Sequence, residues 1–101
     1  MQYSTLGSSG LTISRVCLGT MTWGQQNTQA DADAQLAIAL DAGVNFIDTA
    51  EMYAEGGAEE VVGEAIAGRR DQVFLVSKVY PHNASRRGVP QACERSLRRL
   101  N

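Results

Sequence analysis

Proline, cysteine and histidine are scarce in this chain, with two prolines, two cysteines and a single histidine among 101 residues. So few prolines, beside 44% hydrophobic and 20% charged residues, exclude a disordered, collagen-like or low-complexity polypeptide. The length suits one small domain. No apolar run approaches the ~18–20 residues of a membrane span. The opening Met1-Gln2-Tyr3-Ser4-Thr5-Leu6 lacks the basic start and apolar centre of a signal peptide, so a cytoplasmic protein is expected. Cys17 and Cys93 lie far apart without a second pair, which excludes a disulfide framework or a cysteine-based metal site. Two reduced, buried thiols are the expectation.

Charge is unevenly spread. Through Glu64 nine acids face one base, Arg15, for a net −8; from Ala65 onward eight bases face two acids, for +6. The arginines come as Arg69-Arg70, Arg86-Arg87 and Arg95 with Arg98-Arg99, and no aromatic residue among them offers a base-stacking platform. They read as solvated helix ends and faces, not as a nucleic-acid surface.

Along the chain, Gln2–Leu6 and Leu11–Ser14 flank Gly7-Ser8-Ser9-Gly10 and predict a hairpin over residues 1–14. Three strand–helix units follow. Arg15–Gly19 is the first strand, and its helix starts near Thr28, where Thr28 and Asp31 form a threonine-x-x-acid cap. Leu36 and Leu40 mark the inner face of that helix, and Gly43 its left-handed stop. Val44–Asp48 is the second strand, with a helix over about residues 58–67 whose Val62 and Ile66 face inward before Gly68 ends it. Val73–Lys78 is the third strand. Pro90 opens a last helix with Cys93, Leu97 and Leu100 on its apolar face. Near-continuous apolar strands alternating with amphipathic helices specify an α/β fold with a parallel sheet, the repeating unit of doubly wound sheets and eight-stranded barrels.

In such sheets reactive groups gather where strands end. Asp48 ends the second strand, Tyr53 follows in the same loop, and Lys78 ends the third strand. Neighbouring parallel strands lie ~4.8 Å apart, so Asp48 and Lys78 are predicted to meet at one rim. An ammonium beside a phenol stabilises the phenolate, and a carboxylate keeps that ammonium charged and in place. The trio makes a general acid suited to an oxygen on which negative charge builds, as carbonyl reduction requires. Separately, the three residues also read as a strand-end turn, a loop anchor and a solvated edge charge.

Gly19-Thr20-Met21-Thr22-Trp23-Gly24, then residues 41–53 (Asp-Ala-Gly-Val-Asn-Phe-Ile-Asp-Thr-Ala-Glu-Met-Tyr), then Leu75-Val76-Ser77-Lys78 resemble the aldo-keto reductase superfamily in its short-looped bacterial form. Ala92–Leu100 is similar to that family's third helix. The resemblance covers essentially the whole chain in order. It implies an oxidoreductase on a (β/α)8 TIM barrel, using NADP(H) to reduce small aldehydes and ketones, with the hairpin capping the barrel's bottom. It implies Asp48, Tyr53 and Lys78 as three of four catalytic residues, Tyr53 being the proton donor. Gly19, Thr20, Met21 and Asp48 then border the nicotinamide ribose. Trp23 lies in the loop that lines the substrate pocket in the family; a hydrophobic loop anchor is its other reading. Two departures stand out. Ala58 precedes Glu59 where the family often has a serine helix cap. The family's histidine belongs to a fourth strand, and His82, in the loop after Lys78, reads as a surface residue.

A (β/α)8 barrel takes ~250 residues. The hairpin plus three βα units therefore predict the N-terminal portion of one barrel domain. Alone, such a piece is expected to be weakly stable and without turnover, because both sheet edges stay unpaired. A non-catalytic module that docks a partner chain through those edges is the competing reading. A phosphate-handling barrel isomerase is a third, for which this trio is the wrong chemistry.

Overall fold

A computed structural model describes residues 1–101. The chain runs through strands β1 (Tyr3–Thr5) and β2 (Thr12–Ser14), then β3 (Cys17–Gly19), helix α1 (Gln29–Asp41), β4 (Phe46–Asp48), α2 (Gly57–Ala65), β5 (Phe74–Val76) and α3 (Gly88–Leu100). β1 and β2 pair antiparallel. β3, β4 and β5 form a parallel sheet in that order, with Gly19 opposite Asp48 and Asp48 opposite Val76. This is a segment of a (β/α) barrel wall, an open sheet with helices on one side.

Regular pairing is shorter than the apolar runs predict, three residues per strand. The remaining residues of each run lie outside the regular pairing. Pleat alternation sorts each strand between two environments. Ile47 is fully buried against the helices, with Leu18 and Leu75 beside it on the same register row. The opposite face carries Cys17, Phe46 and Phe74 in one row and Gly19, Asp48 and Val76 in the next. No helix covers that face, and Cys17 is exposed there, not buried as expected.

The core lies between sheet and helices: Trp23, Ala32, Leu36, Ile47, Ala58, Val62, Ala65, Ile66 and Val73. Burying a side chain the size of Leu36 or Val62 contributes ~1.5–3 kcal/mol, so these contacts dominate the cohesion of the unit. α1 starts where predicted. Thr28 accepts from the Asp31 N–H, and the Asp31 carboxylate accepts in turn from the Thr28 N–H. Gly43, at φ 86°, turns the chain out of the helix. α2 starts on Gly56 with no side-chain cap, so Ala58 lies inside the helix, its methyl fully buried. A serine there would not be the N-cap, which corrects the reading of that departure.

α3 presents an unexpected face. Ala92 is its buried residue and Leu100 packs on the core, whereas Leu97 is 63% exposed and Cys93 is exposed. Val89, Cys93 and Leu97 instead line an open groove beside Leu75 and Val79. The inward face is shared by Arg95 and Arg99, which reach buried carboxylates.

The hairpin is tied to the start of β4, opposite the Asp48 end. Tyr3 Oη donates to the Gly43 carbonyl at 2.6 Å, and Asn45 Oδ1 accepts from the Ser14 N–H at 2.7 Å. The hairpin therefore sits at the end of the sheet where the strands begin, away from the Asp48 rim. No helix is long and apolar enough to cross a membrane.

Candidate active site

The C-terminal ends of β3, β4 and β5 share one rim. There the backbone continues the sheet without regular pairing: Thr20 N–H donates to the Asp48 carbonyl at 3.1 Å, Thr49 N–H to Val76 at 2.8 Å and Glu51 N–H to Lys78 at 3.0 Å. Lys78 lies two residues beyond Val76, on the pleat face that carries Asp48. Its ammonium donates to Asp48 Oδ2 at 2.6 Å and to the Thr49 carbonyl at 2.9 Å. The same Nζ sits 4.9 Å from the centroid of the Tyr53 ring, within cation–π range. The three predicted residues thus meet at one rim.

Burial works against the Lys78 charge, but the Asp48 carboxylate and then Tyr53 outweigh it, holding its pKa above the usual lysine value. Lys78 is therefore an ammonium at neutral pH. Tyr53 is half-buried and packs against the core. Directly after it Ala54 and Glu55 adopt φ of 51° and 53°, and Gly56 adopts 94°. Three consecutive left-handed residues, two of them non-glycine, form a turn that its own sequence disfavours. Neighbouring structure must hold it.

Gly19 stands beside Asp48, and a Cβ built on it would meet nothing within 4 Å, so open space adjoins the strand there. Met21 is 64% exposed on the same side, while Thr20 is buried with its hydroxyl donating to the Asp48 carbonyl at 3.1 Å. Trp23 is placed otherwise: it is 1% exposed within the core, and its indole N–H donates to Gln35 at 2.8 Å. That packing is the loop anchor, and it corrects the expectation of a substrate-lining side chain, because the indole is spent on fastening loop 20–27 to α1. His82 is an exposed loop residue, its ring against Tyr80. No cluster of three or more potential metal ligands occurs.

The sequence reading missed a layer of carboxylates behind the rim. Glu59 is fully buried and accepts from Arg99 Nε at 2.6 Å and from the Ser77 hydroxyl at 2.6 Å. Glu51, also buried, accepts from the Tyr80 N–H at 2.9 Å, from Asn83 at 3.2 Å and from Arg95 at 3.0 Å. Arg95 and Arg99 are consequently ion-pair partners and not a solvated face. The available signal was their four-residue spacing, which puts both guanidinium groups on one side of α3.

The parallel sheet with helices on one side, and the meeting of Asp48, Lys78 and Tyr53 at one rim, describe a segment of a (β/α) barrel wall. The model of the Aldo/keto reductase family matches residues 15–101, and the chain belongs to that family. Among curated relatives it is 50% identical to methylglyoxal reductase YeaE of Escherichia coli, over 100% of this chain and 36% of the relative. It is 39% identical to a probable voltage-gated potassium channel subunit beta of Oryza sativa, covering 34% of that protein. An aldo-keto reductase from Klebsiella pneumoniae, solved in complex with NADPH, superposes with a TM-score of 0.82 at 51% identity, over 90% of this chain and 32% of the other. The chain spans about a third of the length of the relatives it matches.

Proposed function

We propose that this chain supplies the proton-donating part of an NADP(H)-dependent reductase of aldehydes and ketones, completed by the further barrel units its relatives possess. The observation that carries the proposal is the Lys78 ammonium, 2.6 Å from Asp48 and 4.9 Å from the Tyr53 ring centroid. NADPH, when bound, supplies the hydride. Gly19, Thr20, Met21 and Asp48 border its nicotinamide-ribose end, which suits the open space beside Gly19. Tyr53 donates its hydroxyl proton to the carbonyl oxygen as that oxygen becomes an alkoxide. Lys78 then faces the phenolate that remains, and Asp48 keeps the ammonium in place. The 101 residues alone lack the rest of the barrel and are expected not to turn over. A cytoplasmic setting belongs to the same proposal. Small reactive aldehydes of the methylglyoxal type are the first substrates to try, given the similarity to YeaE. A module that merely docks a partner chain would need no Asp48–Lys78–Tyr53 meeting, so it explains less.

The test is Tyr53→Phe in the complete enzyme. NADPH binding, followed by nicotinamide fluorescence, stays within a few-fold, while hydride transfer falls about 10²–10⁴-fold. Unchanged turnover would end the assignment.

A further inference from the structure

Between Asp48 and Tyr53 lies a buried carboxylate to which the proton-transfer scheme gives no task. Both oxygens of Glu51 are filled by donors: the Tyr80 N–H, the Asn83 amide and the Arg95 guanidinium. Its own N–H donates to the Lys78 carbonyl at 3.0 Å. The donors therefore come from the loop directly after Lys78 and from α3, whereas Glu51 stands two residues before Tyr53. Regular pairing of β4 with β5 has already ended at Asp48 and Val76. Past that point, this cluster joins the tyrosine's loop to the loop that follows the lysine.

We propose that Glu51, backed by Arg95, is a positioning residue that sets the Tyr53–Lys78 geometry without touching substrate. Two further observations favour positioning over a purely stabilising role. The turn after Tyr53 holds Ala54 and Glu55 in left-handed conformations, so local preference does not keep the phenol in place. An ion pair whose arginine side chain stays 38% exposed also contributes little net stability, while the several directional bonds to the buried Glu51 carboxylate fix a loop closely. Arg95 reaches Glu51 from the same helix face from which Arg99 reaches Glu59, so α3 serves as the template for the tyrosine's loop.

This inference rests on Tyr53 being the proton donor, and the experiment separates the two. In the complete enzyme, hydride transfer is measured per NADPH-binding site, so that loss of folded protein drops out, for Glu51→Gln, Arg95→Met, Arg95→Lys and Tyr53→Phe. Glu51→Gln and Arg95→Met are expected to slow the step about 10–100-fold, the scale of an ångström-sized misplacement, with NADPH affinity within about threefold. Arg95→Lys, which keeps a cation in reach of Glu51, recovers most of the rate. Arg95→Met adds no further loss to Tyr53→Phe, because it acts through the phenol. The proposal is overturned by per-site rates within about twofold of wild type in both Glu51→Gln and Arg95→Met. A full Arg95→Met loss repeated on top of Tyr53→Phe overturns it as well. Should Glu51→Gln not fold, the contrast between Arg95→Met and Arg95→Lys decides alone. Full turnover in Tyr53→Phe removes the acid assignment itself and this inference with it; lost turnover there, with normal rates in the other variants, removes the inference only.

Discussion

Replacing Gly63 by alanine sets helix propensity against packing, and the structure says which wins. Gly63 lies within α2, where alanine is intrinsically better by ~0.8–1 kcal/mol. A Cβ at this position, however, would lie 2.5 Å from the Arg99 carbonyl oxygen and 2.9 Å from Leu100 Cα, both backbone atoms of α3. Relief to an ordinary 3.4 Å contact requires α3 to retreat by roughly 0.9 Å at its last turn. Such a retreat loosens Arg99 from Glu59 and Leu100 from the core. Overpacking of this kind costs ~1–3 kcal/mol, which exceeds the propensity gain and leaves a net loss of about 1 kcal/mol. Urea denaturation of the complete enzyme reads this as a lower midpoint at unchanged slope. Glu64→Ala, at the exposed neighbouring position, serves as the propensity control. A raised midpoint for Gly63→Ala would refute the claim that the α2–α3 approach is tight.

Arg99→Met leaves the Glu59 carboxylate buried with only Ser77 beside it, a loss of ~3–5 kcal/mol. About 1 kcal/mol returns because Arg99 Nη2, itself buried without a partner, is removed. A net loss near ~3 kcal/mol is expected, most of it recovered in Glu59→Leu/Arg99→Met; a single variant within ~0.5 kcal/mol of wild type contradicts the pairing. The Tyr80 N–H holds the Glu51 carboxyl below its ordinary 4.5; burial opposes this, and Arg95 and Asn83 add to it. A pKa lower in the folded state means stability that is complete above pH 4.5 and lost as pH falls through the folded value. Urea midpoints measured from pH 7 to pH 3 are therefore expected to fall more steeply in wild type than in Glu51→Gln; parallel curves would show that Glu51 is not held ionised.

Much of this architecture is local in origin and could be read from the chain. The Thr28–Asp31 cap, the stops at Gly43 and Gly68, and the inward Val62 and Ile66 depend on residues a few positions apart. The placement of Asp48 and Lys78, 30 positions apart, was legible for a different reason: residues at the ends of neighbouring parallel strands share a rim by construction. The general-acid reading of Tyr53 came from the chemistry of the trio, and the family resemblance implied the same residue.

What the chain did not disclose is which face each helix and strand turns to its neighbours. Cys93 and Leu97 have the spacing of a core stripe, yet α3 turns Ala92, Arg95 and Arg99 inward. Trp23 could line a pocket or fasten a loop until Gln35 was found beneath its indole. Cys17 lies on a strand face that no helix covers.

The order of elements, their caps and the rim that gathers the reactive groups were thus determined by the sequence itself. Hydrophobic period and turn chemistry act over a few residues and need no partner. Only the tertiary structure decided that Glu51 and Glu59 are buried and that two arginines of α3 neutralise them. Desolvating a carboxylate is tolerable only where a distant segment delivers a cation, and residues 44 and 40 positions apart meet solely through the packing of α3.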